Sequence, residues 1–524
     1  MFVELIIFAL TSLIVYFLYT YKKVHYFFEK NGVKYLPGVP VFGNALNSML
    51  MKKHVFEDIN VVYNAFPEER YVGYIEGTTP ILLIRDPEII RDVTVKGFDH
   101  FVDHKEFFPE QVDSLFGATI LNMKGEKWRD MRTTLSPAFT SSKMRLMMPL
   151  MVDISKNMVD YLKAHLSEDI LVDDLMRRYT NDVIASTAFG IQVNSLLDKD
   201  NEFYKTGQQL FNFTWSQQAI LIFFLQFPNL AKKLKLSMFP EKTTRFFDEI
   251  VSGTIEYRLK NNIERPDMLQ LLIEASKGTL KHNNESKEKD IGFATTEEVL
   301  KPQDIMIKWS QKEIAAQVFI FFAAGFETSA SGLTLCLHEL AINPDVQDKL
   351  YEEVKAFSEA NGSLLYDNIG ELKYLDCVLN ETERKWSAAI ILDRICNKAY
   401  ELPPPRDGGK PFKVNPGFLI YNTVNSIHMD PEYYPEPERF YPERFSDENK
   451  RFIRPFTYLP FGTGPRNCIG SRFALMEMKV LLYHLVLNFK IVKCDKTLNP
   501  IKLRPKDFNI KVDGGSWVRF QDRE

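Results

Sequence analysis

The chain opens on a block of apolar positions, Phe2 to Tyr21, broken only by Glu4, Thr11, Ser12 and Thr20. About 20 residues rising about 1.5 Å each cross a hydrocarbon core of about 30 Å, so the block predicts one transmembrane helix over residues 1–21. A cleaved signal peptide is the rival reading. Against it, the positive residues Lys22 and Lys23 follow the apolar run, and no small-x-small site precedes them. The positive-inside bias keeps these lysines, and the large body behind them, on the cytosolic side. Residues 22–45 read as a linker, with Pro37, Pro40 and the glycines between Gly32 and Gly43 predicting a hinge. The body is residues 46–524.

Within the body, Pro80 to Arg85 predicts a short strand. Asp86-Pro87-Glu88 then supplies an N-cap, a proline at the first helical position and an acid in the first turn. Beyond residue 120 most segments carry a helical period, and strand-like runs return only from Lys410, so the fold class is mainly α with small β-sheets. No internal repeat is present. Ser310 and Glu313 form a capping-box spacing, and Ile314 to Ala324 is apolar on all sides. Pro344 bounds this helix, which crosses the body through its centre over about 50 Å. Residues 277–301 are too polar to bury much and predict a solvated connector. Ala219 to Pro240 mixes Phe, Ile and Leu with Lys232, Lys233 and Lys235, and two readings stand: a second contact with the bilayer, or an ordinary core helix.

Composition narrows the classes. With 45% hydrophobic and 26% charged residues the 524-residue chain is globular, which excludes disordered and collagen-like proteins. A net charge of -4 provides no field for a nucleic-acid backbone, and nucleic acid is excluded as a partner. The five cysteines form no CxxC pair, so neither a disulfide framework nor a zinc site is expected, and a reducing compartment fits.

The chemistry concentrates in Phe461-Gly462-Thr463-Gly464-Pro465-Arg466-Asn467-Cys468-Ile469-Gly470. Its glycines and proline force a tight loop that presents the Cys468 sulfur, and Gly470 leaves room for a flat ligand against the backbone. Phe473, Met476, Val480, Tyr483 and Leu487 continue at helical spacing, so a helix starts beside the cysteine, and its positive end favours thiolate. A lone cysteine is most often a small buried hydrophobe. Here the loop changes that reading.

The decapeptide resembles the haem-binding signature of cytochromes P450, F-x-x-G-x-R-x-C-x-G, matched at Phe461, Gly464, Arg466, Cys468 and Gly470. The resemblance implies haem b with Cys468 as the axial thiolate of its iron, and a P450 fold: one large haem domain over residues 46–524 behind the N-terminal helix. In the middle of the long helix, Ala324-Gly325-Phe326-Glu327-Thr328-Ser329 is similar to the family's oxygen-binding turn. There the family uses Thr328, water and Glu327 as a proton relay. The glycine and the adjacent hydroxyl also mark a place where the helix can open. Glu381-Thr382-Glu383-Arg384 has the E-x-x-R spacing, and 437–445 resembles the family segment whose second arginine, Arg444, closes a structural cluster with Glu381 and Arg384. Trp128 and Arg132 match the family's W-x-x-x-R, which implies that they hold a haem propionate, with Arg394 and Arg466 as companions. One departure is plain: after Glu-Thr-Glu-Arg-Lys-Trp the family continues with prolines, whereas Ser387-Ala388-Ala389-Ile390 follow here.

The resemblance implies a monooxygenase that inserts one atom of dioxygen into a lipophilic substrate. The microsomal class it points to sits in the endoplasmic reticulum membrane, takes NADPH electrons through cytochrome P450 reductase and also works with cytochrome b5. Lys124, Lys127, Arg129 and Arg472 offer either a docking patch for that reductase or a solvated basic face. The Phe98 to His104 segment and the overall pattern are similar to the insect members of the animal clan that handles foreign compounds, related to the vertebrate family-three enzymes. Alternatives are a hydroxylase of hormones or lipids, a reductase-independent isomerase or dehydratase, and a haem-thiolate sensor. Glu327 and Thr328 argue against the isomerase, which often lacks that pair.

Overall fold

In the computed structural model the described residues are 2–106, 110, 112–212, 214–237, 239–276, 292–294, 309–507 and 509–523. The first helix, α1 (Phe2–Lys30), does not stop at Tyr21. Its apolar first part is exposed, whereas Val24 and Phe28 belong to the core of the body. Phe28 lies so close over Gly73 that a Cβ at that glycine would come within 2.6 Å of its ring. The stretch expected to be a hinge is instead stitched to the sheet. Gly73 N–H donates to the Lys34 carbonyl at 2.8 Å and Ile75 N–H to Asn44 Oδ1 at 2.7 Å. The physical reason is that strand β1 (Tyr71–Glu76) is an edge, and its outward donors need partners.

The four-stranded sheet runs in the order β1, β2, β7, β4, where β2 is Thr79–Ile84, β7 Leu419–Thr423 and β4 Ile391–Ile395. β2 pairs parallel to β7 and the outer pairs are antiparallel. β3 (Ile170–Leu171), β8 (Phe489–Lys493) and β9 (Trp517–Asp522) form a second sheet, and β5 (Tyr400–Leu402) pairs with β6 (Phe412–Val414). After β2, Asp86 caps its helix through Glu88 N–H at 2.8 Å, as its sequence predicts.

The remaining mass is helical. The elements that matter for the site are α2 (Gly125–Leu135), α3 (Ser141–Lys163), α4 (Val172–Ile184), α5 (Trp215–Gln226), α6 (Glu241–Asn261), α7 (Gln311–Ile342), α8 (Pro344–Asn361), α9 (Lys373–Lys385) and α10 (Ser471–Asn488). Helix α7 is the axle, packed by α4, α6, α9 and α10. Its capping box forms: Glu313 N–H donates to Ser310 Oγ at 3.2 Å and Ser310 N–H to Glu313 Oε2 at 3.0 Å. It is apolar enough to pass for a membrane span, yet it is mostly buried in protein, as a core helix must be.

Residues 219–240 divide between the core and the surface. Ile220 and Leu221 pack on the core, whereas Leu230 and Leu234 are exposed. Phe227 meets α1 directly, its ring 6.3 Å from Tyr16 and 6.2 Å from Phe17. Of the expected connector over 277–301, only residues 292–294 fall among the described ones. Phe293 N–H bonds Asp376 Oδ2 at 3.0 Å, and its ring stacks on Tyr458.

Candidate active site

The cysteine loop closes on itself. Cys468 N–H donates to the Phe461 carbonyl at 2.8 Å and Asn467 N–H to that of Gly464 at 3.0 Å. Gly464 sits at φ +73°, and a Cβ there would lie 2.0 Å from the Thr94 carbonyl oxygen, so both conformation and space demand glycine. Gly470 is the N-cap of α10. Of the five cysteines only Cys468 is exposed. It lines an interior opening, surrounded by protein. That burial raises the thiol pKa, the Gly470 N–H and Arg132 offset part of the rise, and Glu383 adds to it. The N–H at the helix end lowers the pKa as expected, but burial outweighs it. A cation bonded to the sulfur reverses the balance.

Three guanidinium groups gather beside this loop. Arg132, on α2, donates to the Asn467 carbonyl at 2.7 Å and to Asn467 Oδ1 at 2.6 Å. Arg466 donates to three carbonyls, of Val102 at 2.9 Å, Ile120 at 3.2 Å and Met123 at 2.7 Å, and its guanidinium lies 4.0 Å over the Trp128 ring. Arg394, on β4, donates to the Asp393 carbonyl at 2.7 Å, while its buried Nε has no partner among the described residues. Burial lowers the Arg394 pKa to about 10 against the pull of Asp393. Burial, then Arg394 and Arg132, push Arg466 well down, opposed by Asp103 and Asp393.

The opposite face of the opening comes from α7. Ala324 and Thr328 are exposed although Ala323, Phe326 and Glu327 around them are buried. Thr328 Oγ1 donates back to the Ala324 carbonyl at 2.5 Å. Phe321, one turn earlier, meets Phe139 at 5.3 Å, and a Cβ on Gly470 would lie 3.7 Å from that same Phe139 ring, which links α7 to the cysteine loop. The helix does not open at Gly325. Its missing Cβ instead admits α4, because a methyl there would come within 2.5 Å of Ile184 Cδ1.

Glu327 departs from expectation. Its carboxylate is 2% exposed and held by Arg177 (3.0 and 3.1 Å) and by Lys511 Nζ (2.6 Å), away from the Thr328 hydroxyl. Burial would raise its pKa, but Arg177 and Lys511 prevail and the net shift is downward. Residues i and i+1 on a helix do not share a face, which is why Thr328 reaches the opening and Glu327 does not. Sequence reading missed Arg177 and Lys511, since no local spacing ties them to position 327.

Comparison with known proteins follows the same lines. The family model described as cytochrome P450 matches residues 33–516. The chain belongs to the cytochrome P450 family. Among its curated relatives, cytochrome P450 9e2 of Blattella germanica is 42% identical over 95% of this chain and 94% of its own length. Probable cytochrome P450 9f2 of Drosophila melanogaster is 41% identical over 95% of both chains, and probable cytochrome P450 6a13 of the same fly is 37% identical over 93% and 92%. This P450 is thus a monooxygenase of the insect type represented by those relatives, and family membership implies haem.

The residues of this P450 fit that group. A thiol open to an interior space, a buried guanidinium Nε without a partner and three clustered arginines suit a metal-bearing disc with carboxylate arms. Gly470 leaves the approach open except for the Phe139 ring. Beneath the loop, Arg384 grips Glu381 at 2.8 and 2.9 Å and Arg444 Nε reaches Glu381 Oε1 at 3.4 Å, forming the expected cluster. Arg384 also donates to the carbonyls of His428 and Pro437, so the cluster ties α9 to two loops. Where prolines are absent, the Ser387 hydroxyl accepts from Ala389 N–H at 3.2 Å and its carbonyl accepts from Asn425, making the bend by hydrogen bonds.

The basic patch is smaller than expected. Arg472 is buried and belongs to no docking surface. Lys124, Lys127 and Arg129 are already paired, with Glu106 at 3.1 Å, Glu313 at 2.9 Å and Asp99 at 2.6 Å.

Proposed function

We propose that this P450 is anchored by α1 in the endoplasmic reticulum membrane, faces the cytosol, and oxidises lipophilic foreign compounds with NADPH electrons delivered by cytochrome P450 reductase. Cytochrome b5 is a second electron partner in this reading. Haem b, held through Cys468, would supply the redox-active iron at which dioxygen is activated. Trp128, Arg132, Arg394 and Arg466 bind and orient its carboxylates, with Arg394 Nε as the donor still to be satisfied. Phe461, Gly464 and Gly470 shape the loop that presents the sulfur, and Ala324 leaves room above it on α7. The Thr328 hydroxyl, already oriented by the Ala324 carbonyl, holds a proton at the exposed face of α7. Glu327 anchors that turn and, should it release Arg177 or Lys511, is the carboxylate nearest in the chain to resupply the proton.

The single observation that supports the reading is that the segments carrying Cys468 and Thr328, both exposed, are linked through Phe139, whose ring meets Phe321 of α7 and lies beside Gly470. The Phe139 and Phe321 rings on that link are aromatic, which suits an apolar ligand. Purified protein, reduced and treated with carbon monoxide, should show the red-shifted Soret band that an iron–thiolate bond imposes. NADPH oxidation with reductase should rise when lipophilic compounds are added. Turnover without any reductant would instead indicate the isomerase.

A further inference from the structure

Gln317 lies deep in α7 with none of its surface exposed, outside every motif that marks the oxygen-binding turn. A buried amide has to find partners for its two donors and its oxygen. Here the partners are informative. Oε1 accepts the Ile120 N–H at 2.8 Å, and Nε2 donates to the Ala118 carbonyl at 2.9 Å and to Glu313 O, in its own helix, at 3.0 Å. The side chain therefore grips backbone groups on both sides of Thr119.

The same short strip is held from the other direction. The Ile120 carbonyl accepts Arg466 Nη1 at 3.2 Å, and Arg466 is two residues before Cys468. Ile120 thus has its N–H fixed by the long helix and its C=O fixed by the cysteine loop. Gln317, Phe321, Ala324 and Thr328 stand at i, i+4, i+7 and i+11, so they share the helix face that borders the interior opening. The strip is thus a wall tied to both α7 and the cysteine loop.

We propose that Gln317 is a positioning residue that sets how far this wall stands from α7, and thereby limits the size of ligand admitted above Cys468. The inference rests on the reading of this site as the haem pocket. It concerns a residue that touches no reacting atom. Packing alone would leave the wall movable, since the contacts Phe116 makes with Phe239 and Phe319 are non-directional. The paired amide bonds fix its register, and removing them frees the strip without emptying the core, because methionine fills the same volume.

The test uses the full-length, haem-loaded protein and two nitrogenous probes read by the shift of the Soret band, imidazole and the bulkier 4-phenylimidazole. In Gln317→Met, the carbon monoxide band and the imidazole affinity should stay within twofold of wild type. The preference for 4-phenylimidazole over imidazole should rise by about fivefold, which equals about 1 kcal/mol, the size of one net hydrogen bond. Gln317→Glu, which keeps the acceptor for Ile120 N–H, should fall between the two, and it carries the comparison if Gln317→Met does not hold haem. A preference within twofold of wild type in the variants that hold haem, even with both affinities weakened equally, would mean that Gln317 serves stability only and overturns the proposal. A wild-type protein lacking the carbon monoxide band would overturn the underlying reading as well, so the two failures are told apart.

Discussion

Thr328 and Glu327 are neighbours in the chain and project about 100° apart around the helix. The threonine is exposed on a mostly buried helix, and the glutamate is clamped between Arg177 and Lys511. A carboxylate so paired stays ionised, and losing one partner would strand a charge in the core. In the proposed reading, proton transfer therefore begins at the Thr328 hydroxyl. Thr328→Ala removes it and leaves the helix intact, since alanine is the better helix former. With reductase and NADPH, hydrogen peroxide released per NADPH should rise and product should fall by roughly tenfold or more, because a positioned proton donor contributes about 10²–10⁴-fold. An unchanged ratio of peroxide to NADPH would remove Thr328 from the reaction.

Helices α7 and α10 press together with acids between them. Glu477 on α10 is fully buried, and burial raises its pKa to about 8, with Ser329 of α7 offsetting part of the rise. Burial does the same to Glu383 on α9, also to about 8. A carboxyl whose folded pKa stands above its unfolded value holds a proton that the unfolded chain has already released. Stability is then present below the ordinary carboxyl range, about 4.5, and is lost as pH rises from there towards about 8. Glu477→Gln cannot ionise and escapes that loss. The melting temperature of the variant relative to wild type should increase by at least about 2 °C between pH 6 and pH 9 in differential scanning calorimetry. A difference independent of pH would show that Glu477 ionises as freely in the fold as outside it.

The apolar N-terminal run and the body share one continuous helix. Phe28 is completely buried against Gly73, and Val24 is buried with it, although both follow the membrane-length apolar run. Removing residues 2–21 should leave the soluble fold as stable as before. Removing residues 2–30 should cost about 3–5 kcal/mol in denaturant unfolding, the usual cost of deleting a buried Phe. Equal stability of the two truncations would mean that the last two turns of α1 are only a stalk.

Much of this protein is readable along the chain. The apolar run of α1, the Ser310 capping box, the turn chemistry around Cys468 and the helical period beyond residue 120 are contiguous patterns, and each local pattern has one low-energy answer. The cysteine loop, its arginine neighbour and the E-x-x-R spacing also identified the family, since those side chains act within a few residues of one another. What the chain could not reveal depends on which distant groups arrive. Arg177 meets Glu327 across 150 positions, and Gln317 grips residues nearly 200 positions away. Ile184 occupies the space that Gly325 leaves, and the supposed hinge is taken up by an unpaired sheet edge. Local propensity chooses helices and turns. The buried polar groups then find their partners through packing, because a charge or an amide taken out of water must be satisfied by whatever the fold brings beside it.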